Sequence, residues 1–261
     1  MKKIDRTNEV NTSNEGYLMK IVEYNNYNDI WIEFQDEYKI RVHTTYNKFK
    51  KGNVKNPYYP SVYNIGYIGV GKYKTRINGK KLKAYDEWHD MLRRCYDPYE
   101  LNRHPTYISC EVCKEWLCFQ NYAKWREDNY YEIPNEVMSL DKDILVKGNK
   151  IYSSETCIFV PHRINSLFTK SNKVRGEYPI GIYYYKQTNK LRANCSIYDD
   201  KIKRDKSVGL GYFPLNEPFK AFTTYKNFKE NYIKQVADEY KELIPQKLYE
   251  ALYKYEVEIN D

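Results

Sequence analysis

Apolar and polar positions alternate in three runs near the start of the chain, 17–24, 29–35 and 38–45. Each run is rich in β-branched and aromatic residues, and short polar turns such as Asn25-Asn26 separate them, a pattern that predicts three strands. Residues 1–16 are polar and are expected to be loose. From 52 to 71 the period breaks, with Asn56-Pro57, Pro60, Gly66, Gly69 and Gly71 close together. A small β module with a glycine-rich exit is therefore expected over 17–80.

The period then changes. Tyr85, Trp88, Met91, Leu92 and Cys95 recur at i, i+3, i+4 spacing and predict a helix over 81–101; Trp116, Phe119, Tyr122, Ala123 and Trp125 predict a second over 115–128. Core packing is the expected role of these tryptophans. A compact unit follows: a strand over 139–146, a turn at Lys147-Gly148-Asn149, then Ile151-Tyr152 and a helix after Ser153-Ser154-Glu155. Period two returns over 181–185, 191–198 and 206–212, with turns at Thr188-Asn189 and Asp199-Asp200. Phe219, Phe222, Tyr225, Phe228, Tyr232 and Val236 predict a long helix over about 217–242, with Asn216 as its N-cap, and Pro245 opens a further short helix. The fold class is α+β, divided as 1–16, 17–80, 81–170 and 171–261.

Charge sharpens this division. The chain carries 43 Lys and Arg against 35 Asp and Glu, a net +8. Ten Lys or Arg face four acids between residues 166 and 215, whereas seven Lys face nine acids from 216 onward. The positive excess lies on the three late strands and their lead-in, as a sheet laid against phosphates would require. Thirty tyrosines supply core area, stacking surfaces or simply reflect A·T-rich coding. Trp31 and Tyr38 fit either base stacking or the core of the first module, the core being favoured. No run of 18 apolar residues is present and the first residues lack an apolar export segment, so a cytoplasmic protein with no membrane partner is expected.

Ile180-Gly181-Ile182-Tyr183, Lys190-Leu191-Arg192-Ala193 and Leu210-Gly211-Tyr212-Phe213, followed by a helix with Ala221 and Tyr225, resemble the AP2 DNA-binding domain over about 60 residues. The chain departs from that family at Pro218, where the family favours an acid. The resemblance implies a three-stranded sheet in the major groove of double-stranded DNA, braced by one helix. Arg or Lys on alternate strand positions reach guanine edges or phosphates. Tyr183, Tyr185, Lys186, Lys190, Arg192 and Asn194 are the candidate reading face, with Lys203 and Arg204 on phosphates.

Leu140-Asp141-Lys142-Asp143-Ile144 and the run from Cys157 through Pro161-His162-Arg163-Ile164-Asn165, preceded by Trp88-x-x-Met91, Arg94-Cys95-Tyr96 and Val112-Cys113-x-x-Trp116, resemble phage-encoded HNH endonucleases of the homing type. The similarity covers residues 84–168, and HNH-like then AP2-like is an order found in phage and intron-associated proteins. It implies a ββα unit gripping one Mg or Mn ion, with Asp141 and Asn165 as metal ligands. A histidine beside the metal-binding Asp ordinarily deprotonates the attacking water in this family; Lys142 stands there instead. A lysine of ordinary pKa, about 10.4, is protonated at neutral pH and takes no proton. Lys142 would need burial or a metal to act as a base, or would hold the scissile phosphate, leaving His162 or no residue as the base. The catalytic set is thus Asp141, Lys142 and His162, with Lys147 and Asn149 as candidate phosphate contacts or plain turn residues.

Cys110-x-x-Cys113 has the spacing of half a structural zinc site, which Cys95, His104, Cys118 or Cys157 would complete; buried free thiols are the alternative. Two functions follow: a metal-dependent hydrolase that cuts DNA in a bacterial host cell, or a DNA-binding regulator on a nuclease scaffold that no longer cuts.

Overall fold

The computed structural model describes residues 4–168, 177–199, 202, 204–259 and 261. It is mixed α and β with several small sheets, as expected for the class. Two compact units divide the chain, 1–127 and 128–261.

In the first unit, β1 (Val10–Thr12), β2 (Leu18–Asn26), β3 (Asp29–Phe34) and β4 (Arg41–Thr44) form an antiparallel sheet in sequential order. Alternate residues Met19, Ile21, Ile30, Ile32 and Phe34 are buried against Phe49 of α1 (Tyr46–Lys50). The segment expected to be loose contributes β1, whose pairing with β2 satisfies its backbone. Trp31 faces the other way, 38 % exposed beside His43, and Tyr38 stacks on Tyr58 at 3.9 Å, so neither fills the core.

A hairpin of β5 (Arg76–Ile77) and β6 (Lys80–Lys81) leads into α2 (Lys83–Tyr96). The single helix expected over 81–101 is two. Asp97, held extended by the following Pro98, ends α2 and caps α3 (Pro98–Arg103) by accepting a 2.9 Å bond from the Tyr99 N–H. After β7 (Glu111–Val112), a 3-10 turn over Lys114–Leu117 precedes α4 (Phe119–Asn129). Trp88 and Trp116 are buried, and the Trp88 indole N–H donates to the Trp116 carbonyl at 2.7 Å.

The second unit holds β8 (Met138–Asp141), β9 (Ile151–Tyr152), β10 (Ile158–Pro161), α5 (His162–Ser166), β11 (Ile182–Tyr185), β12 (Lys190–Asp199), β13 (Arg204–Phe213), α6 (Pro218–Glu239) and α7 (Gln246–Tyr253). The strand expected over 139–146 stops at Asp141, and its partner is β10, where β-branched Ile158 and Val160 make a buried strand in place of the helix expected after Glu155. Ile158, Val160 and Ile164 share one core with Tyr232, Ile233 and Val236 of α6 and Leu248 of α7. The ββα segment and the C-terminal helices are therefore one packing unit.

β11, β12 and β13 form an antiparallel sheet in that order, near the predicted spans. Leu191, Ala193 and Cys195 bury against Ala221 and Tyr225 of α6. Gly181 has φ +76° and lies so close to Tyr225 that an added Cβ would sit 2.2 Å from its ring, so the start of β11 requires glycine twice over. Glu217, not Asn216, is the N-cap of α6, because Pro218 takes the first helical position.

Candidate nucleic-acid interface and hairpin site

Successive strand residues alternate between faces, so while Leu191 and Ala193 point to α6, Arg192 points outward. The register sets Tyr183, Arg192 and Tyr212 side by side across the three strands. The Arg192 guanidinium lies 5.5 Å from the Tyr185 ring centre and 5.6 Å from that of Tyr212. An added Cβ at Gly209 would meet its Nη2 at 2.9 Å, so that glycine makes room for it. Leu210 has no opposite number on β12, which makes it a β-bulge. Tyr183 and Tyr212 are exposed, as are Lys186, Lys190 and Arg204. Asn194 donates to the Ser207 hydroxyl at 2.5 Å. The structure thus gathers Tyr183, Tyr185, Arg192 and Asn194 on or beside one face, with Lys186 and Lys190 at the β11–β12 turn; Lys203 lies outside the described residues.

The hairpin site differs in kind. Asp141 Oδ1 accepts from the N–H groups of Asp143 at 2.8 Å and Ile144 at 2.7 Å, an Asx turn that ends β8. Burial first, then the neighbouring Asp143 carboxylate, push Asp141 up to about 6, against those two N–H bonds. Lys142 is buried; its Nζ donates to Asp143 Oδ2 at 3.1 Å and to the Asn149 carbonyl at 3.2 Å. Asn149 returns its amide to the carbonyls of Lys142 and Ile151, both at 2.7 Å. Lys147 donates to the Glu256 carbonyl at 2.7 Å and to Asp261 at 2.8 Å, beneath the Tyr255 ring. The side chains considered as phosphate contacts are therefore engaged in holding the loop and the C-terminal segment.

His162 is exposed and Asn165 partly buried, at the start and middle of α5. Asp141 pairs with Ile158, whereas Met138 pairs with Pro161, so α5 leaves from the far end of the ladder, about 10 Å along the strand. Asp141 keeps Oδ2 clear of the turn bonds, with the Lys142 ammonium clamped next door by Asp143 and the Asn149 carbonyl. Among the described residues, no group of three or more His, Cys, Asp or Glu is placed to hold a metal ion. All six cysteines are free thiols. Cys95, Cys110, Cys118 and Cys157 are buried; Cys110 and Cys118 approach the carbonyls of Thr106 and Ile68, and Cys113 is partly buried.

The sequence reading missed Gly209 and Tyr212 as the residues that seat Arg192. Their signal was present: two glycines flanking Leu210 mark a bulge, and the Thr188-Asn189 turn sets the register. No family model, curated protein or solved structure matches this chain. Among the described residues no helix is long and apolar enough to cross a membrane.

Proposed function

We propose that this chain is a double-stranded DNA-binding protein that reads the major groove with β11–β13 and does not cut. The reading rests on one observation above the rest: Arg192 stands on the outer sheet face against the paired rings of Tyr185 and Tyr212, over a glycine. A guanidinium so held has lost rotamer freedom before binding, and its planar fork matches the two acceptors of a guanine edge. Lys186, Lys190 and Arg204 supply charge for phosphates around it. A three-stranded sheet braced by one long helix is also the arrangement that the resemblance to the AP2 family implies.

The scaffold of an HNH endonuclease without its chemistry is the corresponding reading of β8, β10 and α5. Lys142, in the general-base position, spends its ammonium on Asp143 and the Asn149 carbonyl, and Asp141 spends one oxygen on its own turn. The test is selection from a randomised duplex pool alongside incubation of supercoiled plasmid with Mn²⁺ or Mg²⁺. An enriched sequence bound by wild type, with the plasmid left supercoiled, is expected. Metal-dependent nicking that disappears in Asp141→Ala would overturn the non-cleaving assignment, and an unenriched pool would overturn the reading face.

A further inference from the structure

β12 runs on to Asp199, but β11 pairs only with its first four residues, 190–193. Beside the edge left open lies a cavity of about 610 Å³, within the size range of small-molecule sites. Its lining combines aromatic Phe168, Tyr225 and Tyr232 with polar Asn194, Ser196 and Lys229.

The charged groups of the walls are not equivalent. Arg163 donates to Glu239 at 2.5 Å, and Asp261 accepts from Lys147. Lys229, between Tyr225 and Tyr232 on α6, makes no hydrogen bond or ion pair among the described residues; Cys195 and then Asp205, both on the cavity wall, act on it electrostatically. Burial lowers its pKa. Asn194 Oδ1 and Arg163 Nε are also buried without a hydrogen-bond partner. A cation partly withdrawn from water and without an ion pair costs stability, and the same desolvation strengthens its attraction for an anion that enters.

We propose that this cavity binds a small phosphate-bearing organic molecule of nucleoside-monophosphate size, its phosphate on Lys229 and its ring among the tyrosines. Lysine acts on phosphate as a point charge, the hydroxyl of Ser196 adds a donor, and Tyr183, exposed on the cavity wall, offers a face for a planar group. Tyr183 and Asn194 line the cavity and also belong to the outward face of the sheet, so an occupant would touch residues proposed to read DNA. Binding of the small molecule itself does not depend on that reading.

The experiment is calorimetric titration of the full chain with the four nucleoside 5′-monophosphates, their nucleosides and inorganic phosphate. At least one monophosphate is expected to bind, about tenfold or more tighter than its nucleoside. Lys229→Met should remove that preference and Lys229→Arg should restore most of it. Without ligand, Lys229→Met should melt at a higher temperature than wild type, because it removes an uncompensated charge. No monophosphate binding, binding of inorganic phosphate alone, or a lower melting temperature for Lys229→Met would overturn the proposal. A change in duplex affinity in Lys229→Met without monophosphate binding would overturn it too, assigning the lysine to DNA.

Discussion

The β8–β10 hairpin and the β11–β13 sheet carry similar material, lysines, asparagines and aspartates at turns and strand ends, and use it in opposite ways. In the hairpin, Asp141, Lys142, Lys147 and Asn149 all turn to neighbouring backbone or to the C-terminal segment. In the sheet, Arg192 is aimed outward by the register and rests against the paired rings of Tyr185 and Tyr212. A residue type at a motif position therefore says little until its hydrogen bonds are counted. The hairpin polar groups hold a loop of irregular backbone, which would otherwise leave donors and acceptors unsatisfied. The sheet satisfies its backbone with its own ladders around Arg192, which frees that side chain.

The contrast can be broken most severely at Gly181. Gly181→Val puts side-chain atoms into the Tyr225 ring at a positive φ, and should cost about 3 kcal/mol or more in denaturant unfolding of the second unit. Asn149→Ala removes two donated bonds and one accepted bond from the hairpin loop. It should lower stability by about 2 kcal/mol while leaving duplex affinity of the folded protein unchanged. Tyr212→Ala removes one of the two rings against which Arg192 rests and should weaken discrimination between sites by about 1 kcal/mol, read as a smaller affinity ratio for selected over scrambled duplex.

A further effect concerns pH. A carboxyl raised from 3.8 to about 6 in the fold contributes stability that is fully present below its unfolded pKa and is lost as pH rises through about 6. Asp141→Asn should therefore flatten that part of the stability profile between about pH 4 and 6, while its amide oxygen still ends β8. An unchanged profile would show that Asp141 is ionised across the window.

Period and turn chemistry made the late sheet, α6 and the tryptophan core legible, because each alternates or repeats cleanly over many residues. The hairpin was less so. A strand that stops because Asp141 bonds to the N–H groups two and three residues on looks, by composition, like one that continues to Val146. The buried strand at Ile158–Pro161 is four apolar residues with no alternation, which periodicity does not separate from a helix. At the candidate interface, the outward face was legible from alternation, but the seating of Arg192 was not. It depends on a bulge that shifts β13 by one residue and brings Gly209 beneath the guanidinium. The Lys147 contacts join residues more than a hundred positions apart, beyond any local pattern.

The most direct test of DNA reading by the sheet is fluorescence anisotropy with a selected duplex across a series of salt concentrations, comparing wild type, Arg192→Ala and Lys147→Ala. Wild-type affinity should fall linearly in log–log form, with a slope of about −0.9 per phosphate contacted. Arg192→Ala should lose about 1–3 kcal/mol of discrimination between the selected and a scrambled duplex, and Lys147→Ala should retain both slope and discrimination. Affinity insensitive to salt, or discrimination lost in Lys147→Ala and kept in Arg192→Ala, would contradict the assignment of the sheet as the reading face.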